Sequence, residues 1–202
     1  MKDVPTQLPD GLEISCLLER EDARDVLIAS PQITGGTSIA TLPQGAVVGS
    51  APLRRAGQVK AQRPDLVVVS LRGNVETRIA KVARGDAVAT LLALAGLKRL
   101  GKEAAASAIL SVEEILPAVA QGAIGLETRR GDARMAGLLA PLNHAPTAWR
   151  VTAEREQIRP AFEAAARGER EVACREAEAA LGGLAGNSQL HLLLAGVYRA
   201  GG

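Results

Sequence analysis

Three stretches of the chain set arginines beside glycines and backbone donors: Leu53-Arg54-Arg55, Leu71-Arg72-Gly73-Asn74-Val75-Glu76-Thr77-Arg78 and Glu127-Thr128-Arg129-Arg130. A guanidinium presents a planar fork of N–H donors that matches a carboxylate or phosphate two bonds at a time. The first two stretches fall where a strand hands over to a helix, whose N-terminus adds free N–H groups and partial positive charge. In open α/β sheets ligands bind at such strand ends. A small molecule with several carboxylates suits this set. The competing reading is that these arginines are solvated or pair with Glu19, Glu21 and Asp22. Arginine supplies 19 of the 24 basic residues, a bias that anion recognition and codon usage in an Ala- and Gly-heavy chain would both produce.

Two other residues carry reactive groups. Asp3, in Met1-Lys-Asp-Val-Pro, reads on its own as a turn or cap residue near a terminus. Cys174, in Glu171-Val-Ala-Cys-Arg-Glu-Ala, reads as a small packed hydrophobe, although Arg170 and Arg175 supply part of the electropositive setting of a reactive thiol. Cys16 and Cys174, with His144 and His191, are too few and scattered for a disulfide framework or a zinc site. There is no GxGxxG after a strand and no GxxxxGK[ST], so metal and nucleotide chemistry drop out.

The elements that must position these residues follow from apolar runs and their punctuation. Residues 11–20 read as a strand running into a charged loop, Glu19 to Asp25. Residues 33–42 are turn-rich, and Ala46-Val-Val-Gly is a short buried strand. Pro52 opens a helix over 53–62 at its first turn. Leu66 to Ser70, continuous and β-branched, predicts a parallel strand buried on both faces. Asn74 caps a helix over 75–84 that carries Val75, Ile79 and Val82 on one stripe and stops at Gly85. An apolar run over 88–95 and a short basic helix through Arg99 complete an alternation typical of βαβ units and a mostly parallel sheet. Ile115 to Val119 reads as extended, entering the Gln121-Gly122-Ala123 turn. Residues 152–181 read as helical, with Pro160 starting or interrupting the helix, and 190–197 as a last strand.

The chain has 202 residues, 47% hydrophobic and 23% charged, enough for a real core in one compact domain or two small ones. Charge is close to balance, at 24 basic against 22 acidic residues, and the aromatics are only Trp149, Phe162 and Tyr198. Both facts speak against nucleic-acid binding. No apolar run reaches the roughly 18 residues of a spanning helix, and no secretory start pattern is present. The expectation is a soluble, cytoplasmic protein with no membrane partner.

The order of several segments now carries more than any one of them. These are Met1-Lys-Asp-Val-Pro-Thr, Glu19-Arg-Glu-Asp-Ala-Arg-Asp25, Leu53-Arg-Arg, Arg63-Pro-Asp-Leu, Leu71 to Arg78, Ala95-Gly-Leu-Lys-Arg-Leu-Gly101, Leu116-Pro-Ala-Val-Ala-Gln-Gly-Ala123 and Leu142-Asn-His144. From residue 1 to about residue 155 the chain resembles the porphobilinogen deaminase (hydroxymethylbilane synthase) family. The resemblance implies a tetrapyrrole-pathway transferase that condenses four porphobilinogen units into hydroxymethylbilane with release of ammonia, using a dipyrromethane primer held by a cysteine thioether. It implies periplasmic-binding-protein-like α/β domains with mixed, mostly parallel sheets, plus a partial α+β third domain. Residues 1–23 and 113–136 would be part of the first domain, 24–112 the second, and 141–202 part of the third, primer-carrying one.

Carried over residue by residue, Asp3 matches the catalytic aspartate. Arg54 and Arg55 match arginines that hold the primer's carboxylates, and Arg72, Arg78 and Arg129 match those holding the substrate's. Arg20 and Gln121 are further substrate-side matches. The chain departs from the family in three places. It starts within the first domain, so another chain is a candidate to cover the missing strands. Ser50-Ala51-Pro52 replaces Thr-Ser-Ser. Ala165 stands where the family has its primer cysteine, with Cys174 nine residues later as the alternative attachment point. A non-catalytic relative that binds a polycarboxylate pyrrole or another small anion is the competing functional reading.

Overall fold

Two sheets organise the chain in a computed structural model that describes residues 1–176 apart from 6, 34–37, 170 and 174. The strands are β1 (Leu12–Leu17), β2 (Asp25–Ala29), β3 (Val47–Gly49), β4 (Val67–Val69), β5 (Ala89–Ala93), β6 (Ala108–Ile109) and β7 (Gly125–Arg129). The helices are α1 (Leu53–Gln62), α2 (Val75–Arg84), α3 (Leu94–Arg99), α4 (Ala133–Leu139) and α5 (Ala145–Ala166). Cys174 and the strand expected over 190–197 lie outside the described residues.

The larger sheet has the order β4-β3-β5-β2-β6. It is mixed: β3 runs parallel to β4 and β5, while β2 is antiparallel to β5 and β6. Successive strand residues point to opposite faces, and the core divides accordingly. Leu27 and Leu91 join Val48, Val59 and Leu66 under α1, whereas Val26, Ile28 and Leu92 join Leu97, Val75 and Ile79 under α2 and α3. The result is an α/β layered unit with helices on both faces of the sheet.

Local sequence explains where the helices start and stop. Asn74 accepts a hydrogen bond from the Thr77 amide at the head of α2, and Gly85 closes it in the left-handed conformation at φ 90°. Pro52 is the residue before α1 rather than its first helical residue. Helix α5 begins at Ala145, before the expected Thr152, with Pro146 in its first turn where a missing N–H costs nothing. It continues through Pro160 instead of breaking there.

Two strand expectations need correction. The run over 66–70 is not buried on both faces, because β4 is the sheet's edge strand and Val67 is 48% exposed. Ile115 to Val119 forms no strand. Pro117 has no N–H to give a ladder, and the Leu116 amide and carbonyl are taken by the Gln58 side chain at 2.7 and 3.2 Å. Strand β2, hidden behind a charged segment in the sequence, lies between β5 and β6.

The smaller sheet is the antiparallel ribbon of β1 and β7. A two-stranded ribbon is marginal alone, and α5 covers it: Leu17, Ala120, Ala123 and Val151 form a buried cluster with Ile14 packed against it. The ribbon and the larger sheet meet at the Gln121-Gly122 turn. Gly122 has φ 86°, and a Cβ there would lie 2.3 Å from the Glu21 carbonyl oxygen. Replacing it by alanine should lower unfolding free energy by more than about 1 kcal/mol, since both the torsion and the space are denied to a side chain. Urea denaturation of Gly122→Ala checks this, and an unchanged midpoint would refute it.

Candidate carboxylate-binding site

Asp25 opens β2 with none of its surface in water. Its carboxylate accepts a hydrogen bond from Arg54 Nη2 at 2.7 Å, two from Arg55, from Nε at 3.1 Å and Nη2 at 2.8 Å, and one from Gln121 Nε2 at 2.7 Å. Burial alone would raise its pKa. The Arg55 guanidinium, and then that of Arg54, outweigh burial and hold the carboxyl below its ordinary range. The two arginines sit side by side because α1 starts directly after β3 and places both in its first turn.

The two differ in what remains for a ligand. Arg55 is 3% exposed, and its third nitrogen donates to the Leu91 carbonyl at 3.2 Å. Arg54 donates to the Leu116 carbonyl but keeps 20% of its side chain in solvent. Gln121 also donates to the Ala23 carbonyl at 2.6 Å. Its Oε1 is enclosed and has no hydrogen-bond partner among the described residues. An acceptor left in that condition calls for an N–H donor from elsewhere.

Further charges converge on this pair. Arg78, on α2, donates Nε to the Gly73 carbonyl at 2.9 Å; desolvation, and then repulsion from Arg55, push its pKa down. Lys2 is likewise lowered by desolvation and then by the charge of Arg55, while Asp3 and Asp25 act in the opposite sense. Asp3 is exposed in a turn held by the Met1 ammonium on the Ala123 carbonyl at 3.0 Å and by Arg155 on the Pro5 carbonyl at 2.5 Å. Arg72 is exposed at the end of β4, and its guanidinium has no partner among the described residues.

The remaining candidates lie differently. The fork of Arg20 is filled by Glu154 of α5, at 2.5 and 3.1 Å, and its Nε donates to the Gln121 carbonyl at 2.9 Å. Arg20 thus holds the Gln121 turn in place. Glu154 also accepts the Ala120 amide at 2.8 Å, which secures Ala120 at φ 57°, a conformation uncommon for alanine. Arg129 is exposed on β7 opposite Leu12, and no hydrogen bond or ion pair among the described residues ties it to Asp25. Cys16 is 1% exposed in β1, where burial pushes its thiol up and makes it a poor nucleophile.

Sequence reasoning missed Asp25, Lys2, Glu154 and Arg99, the last of which donates to the Gly122 carbonyl at 2.7 Å. Asp25 had a usable signal, a carboxylate leading directly into the apolar run Val-Leu-Ile-Ala. Such a residue must be either the solvated end of a loop or a buried ion in need of cations.

The fold is an α/β sheet whose strand ends carry an internally anchored arginine cluster, a candidate site for carboxylates. The chain belongs to the porphobilinogen deaminase family: the family model described as porphobilinogen deaminase, dipyromethane cofactor binding domain, matches residues 1–137. It is 54% identical over 155 residues to a porphobilinogen deaminase of Paracoccus denitrificans (strain Pd 1222), covering 77% of this chain and 48% of that protein. It is 53% identical over 156 residues to the chloroplastic porphobilinogen deaminase of Oryza sativa subsp. japonica, covering 77% and 42%. The chain therefore spans about half the length of the curated relatives it matches. Among solved structures, the ectoine-binding protein TeaA overlaps with a TM-score of 0.42 at 13% identity, covering 95% of this chain and 65% of TeaA. A periplasmic binding protein from Brucella ovis overlaps at 0.39 and 18%, covering 94% and 59%. No helix among the described residues is long and apolar enough to cross a membrane.

Because the Asp25 pKa is depressed on folding, its contribution to stability is complete above the unfolded value, about 3.9, and is lost as pH falls through the folded one. Asp25→Asn should therefore flatten the acid limb of the stability profile below about pH 4. Denaturant midpoints from about pH 2 to 6 measure this, and an acid slope equal to that of the wild type would contradict it.

Proposed function

We propose that this chain acts in tetrapyrrole biosynthesis as a transferase of the porphobilinogen deaminase type, joining four porphobilinogen units into hydroxymethylbilane and releasing ammonia at each addition. The observation that carries the reading is the Asp25-anchored arginine cluster. It offers guanidinium and ammonium donors for acetate and propionate side chains. The same donor set fits the carboxylates of dipyrromethane. When bound, dipyrromethane supplies the primer pyrrole to which the first unit is joined.

In this reading Arg54 holds the primer's carboxylates through the edge that Asp25 leaves open, Arg55 anchors Asp25 beside it, and Cys174 is the candidate for the primer's thioether. Arg72, Arg78 and Arg129 hold substrate carboxylates, and Arg20 acts through the Gln121 turn that it supports. The Asp3 carboxylate stabilises the positive charge that develops on the pyrrole nitrogen as ammonia leaves, and its exposure leaves it open to substrate. Residues 24–112 are the second domain, 1–23 with 113–136 belong to the first, and 141–202 to the third. Another polypeptide packs against the β1–β7 ribbon, whose outer edges pair with no further strand among the described residues, and the protein works in the cytoplasm.

The decisive experiment is the intact mass of the purified protein after incubation with porphobilinogen, beside a Cys174→Ala control. The expected result is a covalent increment of two pyrrole units that the control lacks. No increment in either sample would leave a non-catalytic binder of a polycarboxylate pyrrole. A variant series separates the roles. Arg54→Ala and Arg72→Ala should each weaken porphobilinogen binding by about tenfold or more, as loss of a charge-assisted contact does. Asp3→Asn should keep binding and lose turnover. Calorimetric titration alongside an assay for released ammonia reads both, and unchanged affinity in both arginine variants would remove the cluster from the site.

A further inference from the structure

Asp25 is a carboxylate already sitting where a ligand's carboxylate would be expected to go. It spans Arg55 through Nε and Nη2, shares Oδ2 with Arg54 and Oδ1 with Gln121, and has no surface of its own. These contacts, with the Leu91 carbonyl, leave Arg55 with no nitrogen uncommitted. Arg54 keeps its Nε edge and the outer hydrogens of a side chain that is 20% exposed. Lys2 and Arg78 add positive charge around this core and Asp3 offsets part of it, so the excess is positive.

We propose that Asp25 determines the specificity of this cluster: it fills the inner face of the Arg54–Arg55 pair so that a lone small anion cannot seat there, and only a ligand with two or more carboxylates gathers enough of the outward donors to bind. The proposal rests on the reading of the cluster as a polycarboxylate site. A tethered carboxylate needs no translational entropy to stay in the arginine fork, so a free monoanion competes at a disadvantage. A polycarboxylate avoids that competition by bridging Arg54, Arg78 and Lys2 from outside, where its charge matches the excess. Asp25 is therefore a positioning residue that acts through the arginines.

The test titrates the wild type, Asp25→Asn and Asp25→Glu with acetate and with porphobilinogen at one ionic strength. Acetate should bind Asp25→Asn about tenfold tighter than the wild type, so that selectivity for porphobilinogen falls. Asp25→Glu, which keeps the charge, should restore the wild-type preference, a rescue that a purely structural role of the aspartate's shape would not produce. Asp25→Asn leaves Arg55 buried without its counter-ion, so the double variant Asp25→Asn/Arg55→Gln repeats the measurement with the buried pair neutralised. Acetate binding no tighter than wild type in both asparagine variants, or Asp25→Glu behaving as Asp25→Asn does, overturns the proposal. If the wild type fails to bind porphobilinogen while the asparagine variants gain acetate, the polycarboxylate reading falls and the gating by Asp25 stands.

Discussion

A carboxylate with no access to water must be matched by donors, and the hydrogen bonds of Asp25 join three separate parts of the chain. Arg54 and Arg55 come from α1, Gln121 from the turn that leads to β7, and the carboxylate itself opens β2. Breaking a buried pair by removing one partner typically costs ~3–5 kcal/mol, because the other charge stays behind unpaired. That penalty makes the arrangement close to all-or-none. Helix α1 cannot slide along the sheet, nor the turn swing away, without stranding an ion in the interior. The fold's geometry and the placement of its exposed cations therefore have the same origin.

A second ion pair extends this constraint to the ribbon. Arg20 and Glu154 face each other as two forks, with side chains 14% and 34% exposed. Their spare donors and acceptors reach the Gln121 carbonyl and the Ala120 amide. Through them α5 is tied to the same turn that Asp25 holds from the other side. Taken alone, a partly exposed ion pair contributes little. Here its value is directional: it keeps Ala120 in a left-handed conformation and aims the Gln121 amide at Asp25. The Gly122 carbonyl then receives Arg99 of α3 and the Glu21 amide from the segment between β1 and β2, so two further parts of the chain hold the turn.

Much of this was legible in the sequence wherever the signal was local. Asn74 and Gly85 bracket α2 through backbone chemistry confined to their own neighbours, and Arg54 and Arg55 announce themselves by standing at a strand-to-helix junction. The ordered segments pointed to the family. Asp25 was not legible in the same way, because its partners lie 29, 30 and 96 residues away, and a carboxylate beside apolar residues looks the same at a solvated loop end. The run over 66–70 misled for a related reason. Valine-rich composition reports strand propensity, whereas whether a strand is central or at an edge depends on the order in which crossovers place it. Likewise Ile115 to Val119 has an apolar pattern suited to a strand, but Pro117 and the side chains of α1 claim its backbone groups first.

Every member of the cluster around Asp25, from Lys2 to Gln121, falls inside residues 1–137, the span the family model matches. The buried charge that must be neutralised therefore lies within the stretch of chain that matches the family. The covalent step of the proposed chemistry depends on a cysteine outside the described residues, whereas carboxylate recognition depends on none. In the proposed reading, recognition and covalent chemistry are thus separable. The first needs only a sheet end that presents more positive charge than it consumes. In the proposed reading, Lys2 and Arg78 are the cations left for a ligand once Asp25 has tied Arg54 and Arg55 together.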